Sequence, residues 1–578
     1  MSYKLKNIEI IVEILKQNNI NQVVISPGGT NIPFIRMIQD DPFFERYSVV
    51  DERSALYFAI GIYLQTRKPV VMSCTSAQAT RNYIPGLTEA FYKKVPILAI
   101  TMSKHPRFTY QEYMQAPDQT SLPADSIKKS FMLPYISDEN DIYYSIRVVN
   151  QAVLELTQNG SGPVQLCVPW LDFPINAIEP KVRTVKRYSF DDDFDFSLDK
   201  KKIMIIIGEH LKFSELEKEE IERFSCLHNA FVYVDHLSNF NCQYSLYANI
   251  VLTVLTFNEF YRDYRPDIVI SIGGQTGDYP LYKMLAHTEM KELEHWRVNE
   301  DGEVVDTYDK LTKVFKMREL TFFQCMNKLA SMKDGNKVNH DYFLKWKKTL
   351  DDIEYDKQLP FSNASIAYEL TQSIPAKSIV QFSILNSLRV WNLYQFKNDV
   401  ECYSNVGAFG IDGGMSTLIG QSIVSNQLCF MIIGDLAFFY DMNSLGIRHI
   451  KNNLRILLIN NNGGIEFKLD NLQNEYIDQY IAAANHFKNA EGWAKTCGFE
   501  YLSAKNIDEF KQSENVFISA SEKPILLEVF MKDSDEAIAY KRIIEQNRAQ
   551  NVQTSMKKVV KKVIGDEMTQ KIKGLIKK

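Results

Sequence analysis

Two short apolar runs, "LCFMII" and "LRILLI", each end in a polar cluster: Gly434-Asp435 after the first, Asn460-Asn461-Asn462-Gly463-Gly464 after the second. Both are short, rich in branched aliphatic residues and uncharged except for Arg455, as strands buried on both faces are. The residues between them have helical spacing. A strand-helix-strand unit of this kind brings both polar ends out at the same carboxyl edge of a parallel sheet, where open α/β sheets bind ligands. An aspartate and an asparagine meeting there, beside glycines that admit close backbone approach, fit a hard cation and a phosphate. Mg²⁺ takes oxygen ligands in octahedral geometry at about 2.1 Å and completes its shell with phosphate and water. Asp435 offers a carboxylate, Asn461 an amide oxygen and Gly463 a backbone carbonyl. A helix starting near Phe439 would turn its first amides towards the phosphate. The same residues also allow Asp435 to be a helix cap and the asparagines a plain turn.

With 578 residues, the chain has length for three or four domains. Three α/β blocks separate by composition. The first, 1–180, alternates strands such as "QVVIS", "PVVMSC", "VPILAIT" and "PVQLCVP" with helical stretches, and the acidic passage "RYSFDDDFDFSLDKKK" after it reads as a linker. The second, 195–345, holds "IMIIIGEH" and "PDIVISIGGQTGD"; the third, 358–535, carries the opening motif and closes at "KPILLEVFM". "IGGQTG" lacks the full G-x-G-x-x-G and an acidic partner, so the middle block reads as scaffold and pocket wall rather than a dinucleotide site. The expected fold is three doubly wound parallel-sheet domains followed by a basic helical tail, 536–578. That tail sets eleven Lys and Arg against three Asp and Glu between 541 and 578. It reads first as a helix packing one stripe on protein, and otherwise as a peripheral contact with an anionic membrane.

A net charge of -5 argues against nucleic acid as a partner. The eight cysteines have no metal-type spacing, no apolar run reaches about 18 residues, and "MSYKLKNIEIIVEILKQNN" is amphipathic without a signal-peptide core. Together these features point to a cytoplasmic protein.

The Gly-Asp to Asn unit resembles the metal-diphosphate motif of thiamine diphosphate enzymes. Within that group the chain is similar to the MenD synthases of menaquinone biosynthesis, which use isochorismate. Besides "GDLAFFYDMNSL" and "NNNGG", the resemblance rests on "SPGG" (26–29), "DERS" (51–54), "CTS" (74–76), "APDQT" (116–120), "NSL" (386–388) and "YSNVGAFGIDGGMST" (403–417). These motifs span all three blocks in order. The resemblance implies that Glu52 bonds the aminopyrimidine ring and favours loss of the thiazolium C2 proton. It also implies that Gln119 faces the reacting carbons, that Ile411 props the cofactor in its bent form and that Gly410 gives it backbone access. Ser387 and the amides near Gly434, Leu436 and Ala437 would meet the diphosphate, while Asp435, Asn461 and Gly463 hold Mg²⁺. Because family members set the glutamate domain of one subunit against the metal domain of another, a homodimer or homotetramer with intersubunit sites is expected.

The family pattern breaks at the substrate arginines. Thr30, Trp391 and Val406 stand at matching positions, the basic pair expected in the middle domain falls near Tyr279-Pro280 and is missing, and Lys104 is a remaining cation. Arg36, Arg81, Arg107 and Arg389 lie within or beside the matched motifs as replacements. Trp391 is either core or a wall for a less charged acceptor. The implied activity is decarboxylation of a 2-oxo acid with transfer of the acyl carbanion to an acceptor. The alternatives are simple decarboxylation, the family's own reaction, or a cofactor-binding subunit that does not catalyse.

Overall fold

The computed structural model describes residues 6–170, 185–194, 196–331, 339–356, 358–469, 479–485 and 488–564, with side chains described as far as Arg548. The first sheet contains β1 (Gln22–Ile25), β2 (Glu45–Ser48), β3 (Val70–Cys74), β4 (Ile97–Lys104), β5 (Lys129–Met132) and β6 (Val164–Trp170), in the order β2-β1-β3-β4-β6-β5. The second contains β7 (Lys186–Ser189), β8 (Ile203–Ile207), β9 (Ala230–Tyr233), β10 (Ser245–Leu246), β11 (Ile268–Ile272), β12 (Glu294–Val298) and β13 (Leu311–Lys316), in the order β10-β9-β8-β11-β12-β13-β7. The third contains β14 (Ile379–Phe382), β15 (Glu401–Ser404), β16 (Cys429–Gly434), β17 (Leu454–Asn460), β18 (Glu500–Ala504) and β19 (Ile525–Phe530), in the order β15-β14-β16-β17-β19-β18. All pairings among them are parallel. The apolar runs behave as expected: β1, β3, β8 and β17 are buried along their whole length because helices cover both faces.

Strand order decides where ligands go. In the first sheet the chain steps from β1 outward to β2 and then back across to β3; in the third it steps from β14 to β15 and back to β16. Each reversal opens a crevice at the carboxyl ends of the strands beside it. The loops there are Ser26–Thr30 and Thr75–Ser76 in the first unit, and Ser383–Ser387 and Gly434–Ala437 in the third.

One expectation changes. The acidic passage after the first block is not a linker: it forms β7 and delivers Tyr188, Phe194 and Phe196 onto Phe315 and Trp296 in the second core. Asp191, Asp192 and Asp193 are exposed, while Phe194 and Phe196 pack inward. The C-terminal helix packs on protein from its start, as in the first reading of that segment. A helix runs from Asp533 to Ile564, and its buried Ala537, Ala539, Ile543 and Asn547 lie on the second and third units. Asn547 exchanges hydrogen bonds with the backbone of Glu354 at 3.0 and 3.1 Å, and Arg548 Nε donates to Val254 O at 3.1 Å. The side chains behind the membrane reading, from Val559 onward, lie outside the described ones. Among the described residues no helix is long and apolar enough to cross a membrane. All eight cysteines are free. In "IGGQTG", Gly274 N donates to Glu209 O at 2.9 Å and leaves no room for a Cβ on Gly208; these glycines serve the close approach of two loops.

Candidate active site

The parallel register sets Gly434 of β16 beside Ile459 of β17, so the residues that follow each strand emerge together. Asp435 is 6% exposed, and its two oxygens accept the backbone N–H of Leu436 at 2.7 Å and of Gly463 at 2.8 Å. The carboxylate therefore clamps the end of the asparagine loop to the start of its own helix. Gly463 has φ +120°, and a Cβ there would stand 2.5 Å from Ala482 O, so the loop closes only with glycine. Its carbonyl accepts from Ile465 N at 2.9 Å and keeps one lone pair for another partner. Asn461 is buried, with Nδ2 donating to Glu536 at 3.1 Å, which leaves Oδ1 as the atom that could meet a cation.

The helix expected near Phe439 starts instead at Asp435 and ends at Tyr440, followed by a tight turn over Met442–Gly446. Asp441 stops it: its carboxylate accepts the backbone N–H and hydroxyl of Ser416, both at 3.4 Å, rather than extending the helix.

Glu52 is the first residue of the helix Glu52–Thr66, capped by Asp51, whose side chain accepts from Arg53 N at 2.9 Å. Arg53 pairs with Asp51 at 3.6 Å, leaving Glu52 to turn inward. Its carboxyl is 6% exposed and accepts the Tyr440 hydroxyl at 2.6 Å; Asn82 in turn donates to Tyr440. Burial pushes the Glu52 carboxyl up to about 7, against the pull of Tyr440 and the helix start.

Both halves open into one cavity of about 1040 Å³. Glu52 and Thr30 enter from the first unit; Ser387, Gly410, Ile411, Gly434 to Ala437, Asn461 and Gly463 enter from the third. Tyr279 and Pro280 of the second unit close one side. Within this chain, then, Glu52 and the Asp435 loop border the same cavity. The contact is intimate, since a Cβ on Gly410 would lie 2.6 Å from Gln78 Cβ of the first unit.

The substrate candidates divide. Thr30 Oγ1 is tied to Thr75 Oγ1 at 2.7 Å and accepts from Ser76 N at 3.0 Å, so it shapes the wall. Lys104 lines the cavity above the Tyr113 ring, 5.7 Å from its centre. Arg389 also lines it, bonded to Glu466 at 3.0 Å and lying 5.1 Å over Tyr279. Trp391 is fully buried, donates to Asn363 Oδ1 at 3.0 Å and belongs to the core. Val406 is likewise core. Gln119 sits behind the wall, accepting from Ala77 N at 3.2 Å and so holding the Ser76–Ala77 turn in place. Arg81 donates to Asp118 O and lines a separate depression. Arg36 is exposed, and Arg107 lies over Phe108 at 4.6 Å; neither borders the main cavity. Sequence reading missed Tyr440, Asn82 and Glu536, and the cavity cations Lys283, Lys541 and Arg548.

The residues fit thiamine diphosphate with a hard cation. Ser76 Oγ and Asn386 Oδ1, both in residues that line the cavity, are buried with no hydrogen-bond partner among the described residues, as is Glu466 Oε2. Such groups ask for a polar ligand. The donors at Asp435, Asn461 and Gly463 are all oxygen. Among the described residues no group of three or more His, Cys, Asp and Glu gathers to hold a metal by itself, so a cation here needs phosphate oxygens to complete its shell.

Comparison with known proteins agrees with this geometry. Residues 6–122 match the family model described as thiamine pyrophosphate enzyme, N-terminal TPP binding domain. The 2-succinyl-5-enolpyruvyl-6-hydroxy-3-cyclohexene-1-carboxylate synthase of Bacteroides thetaiotaomicron is 33% identical over 552 residues, covering 92% of this chain and 97% of the relative. The chain belongs to the MenD family of thiamine diphosphate enzymes. The MenD synthase of Bacteroides fragilis is 32% identical over the same shares of both chains, and that of Flavobacterium psychrophilum 28% over 90% and 95%. The MenD likeness therefore covers all three sheets.

Three acids around this cavity hold their protons unusually well: Glu52 and Glu536 are pushed up to about 7 and Asp435 to about 6, in each case chiefly by burial. Each binds its proton more tightly folded than unfolded, where carboxyls titrate near 3.8 to 4.5. The stability they lend is complete below about pH 4 and is lost as pH rises through 6 to 7. The cofactor-free protein is expected to melt at a lower temperature at pH 8 than at pH 5.5, with the drop smaller in Glu52→Gln; calorimetry at the two pH values checks this.

Proposed function

We propose that this chain decarboxylates a 2-oxo acid and passes the remaining acyl unit to an acceptor, using thiamine diphosphate anchored through Mg²⁺ and a substrate different from that of the MenD relatives. The observation that carries the reading is the convergence of Glu52 and the Asp435 loop on one cavity. When bound, thiamine diphosphate supplies the electron sink into which the bond to CO₂ breaks. Asp435, Asn461 and Gly463 would hold the cation, with Ser387 and the Leu436 and Ala437 amides beside the diphosphate. Gly410 would admit the ring system and Ile411 would support it. Glu52 would hold and exchange a proton at the aminopyrimidine N1′, a task suited to a carboxyl near pH 7. Tyr440 steadies that carboxyl from the opposite side. Leu385, Phe409 and Phe467 give the cavity apolar walls that limit water around the reacting carbons.

The cations support the change of substrate. Lys104, Lys283, Lys541 and Arg548 border the cavity, and Arg389 is already balanced by Glu466. Lysines act as point charges and lack the planar fork with which arginine grips a carboxylate at two points. The test is CO₂ release from a panel of 2-oxo acids, with and without aldehyde, ketone and enone acceptors, in the presence of thiamine diphosphate and Mg²⁺. Release from a 2-oxo acid, with no adduct from 2-oxoglutarate and isochorismate, is expected. Efficient formation of that adduct would return the protein to the reaction of its relatives, and silence with every acid would overturn the reading.

A further inference from the structure

Asn461 is useful to a cation only with its carbonyl oxygen turned towards it, yet an asparagine amide can sit either way round. The structure contains a device that chooses. Six residues after β19 ends, in the first turn of the helix Asp533–Ile564, Glu536 lies 4% exposed behind the asparagine loop. One of its oxygens accepts from Asn461 Nδ2 at 3.1 Å, and the other from the backbone N–H of Asn363 at 3.1 Å. Asn363 is itself fixed, its Oδ1 accepting from the buried Trp391 Nε1 at 3.0 Å. Both oxygens of Glu536 thus accept from N–H groups, so it takes the NH₂ end of the amide and leaves Oδ1 on the other side.

We propose that Glu536 is a positioning residue for the cation site: it locks the Asn461 amide with Oδ1 available as a ligand, and so makes the C-terminal helix part of the cofactor machinery. This rests on the reading of Asp435 and Asn461 as cation ligands. Without Glu536 the amide is free to present its NH₂ to the metal, where it would repel. Partners of this kind behind metal ligands are worth about 10- to 100-fold in metal affinity.

The experiment uses the full chain with thiamine diphosphate and Mn²⁺ as the probe, free Mn²⁺ being counted by electron paramagnetic resonance, alongside the melting temperature of each apoprotein. Glu536→Gln is expected to weaken Mn²⁺ binding about 10- to 100-fold. The double variant Glu536→Gln with Asn461→Asp reverses donor and acceptor and is expected to recover to within about threefold of wild type, the sign of a direct pair. Ile543→Ala loosens the docking of the same helix at a buried site away from Asn461, and is expected to leave Mn²⁺ binding within about twofold. The inference is overturned if Glu536→Gln binds Mn²⁺ as wild type does, if the double variant fails to recover, or if Ile543→Ala loses affinity equally. A wild-type protein that takes up no Mn²⁺ with thiamine diphosphate overturns the cofactor reading first, and this inference with it.

Discussion

Glu52→Gln is expected to lower turnover by about 10² to 10⁴ while leaving thiamine diphosphate uptake intact, the usual weight of a positioned acid-base group. The substitution keeps the size of the side chain and an oxygen to accept the Tyr440 hydroxyl, which stands 2.6 Å away. It removes only the ability to exchange a proton. The site was built at a cost: burial raises this carboxyl to about 7. Relative to an ordinary value of 4.5, that opposes folding by up to about 3 kcal/mol above pH 8. Glu52→Gln should therefore raise the melting temperature at high pH even as it silences the enzyme. Steady-state kinetics with CO₂ detection, paired with cofactor titration by calorimetry, checks both halves, and wild-type turnover in the variant would remove Glu52 from the mechanism.

Asp435→Ala should act on the other side of the cavity, and on binding rather than chemistry. Its carboxylate is the one formally charged member of the proposed cation set, and it also satisfies the amides of Leu436 and Gly463. Truncation leaves those N–H groups buried without an acceptor, about 1 to 3 kcal/mol for each, and withdraws a ligand whose outer-shell supports alone are worth about 10- to 100-fold. Mg²⁺ retention is expected to fall by at least about 10²-fold, measured by dialysis against limiting metal, with Asp435→Asn intermediate because it keeps one acceptor. Mixing the two inactive variants tests whether one copy or two supply Glu52 and Asp435 to a site. Recovery on mixing would show that sites are shared between copies.

The sequence was informative where function and local spacing coincide. Fully apolar runs marked the parallel strands, and Asp435, Asn461 and Gly463 could be placed together because a strand-helix-strand unit fixes where its ends emerge. Glu52 looked like any helix-start glutamate, and only the resemblance singled it out. Tyr440 was hidden because its partner Glu52 lies 388 residues away and its own neighbours, Phe438 and Phe439, suggested core packing. Glu536 was hidden for a different reason: it heads a segment read for its basic composition, whereas its meaning lies in Asn461, 75 residues earlier. The acidic passage before β8 misled through its charge, its exposed aspartates drawing attention from the aromatics that pack in the second core.

The position of β19 has a consequence for how the molecule comes into being. It lies between β17 and β18 although it follows both in the chain, so β18 has no neighbour to join until the last strand is threaded into place. Glu536 follows a few residues later. A nascent polypeptide can complete its first two sheets, in the N-to-C order usual for domains during translation, while the Asp435 and Asn461 loops still wait for their support. Competence to take up a cofactor is thus withheld until β19 and the first turn of the helix after it have been made.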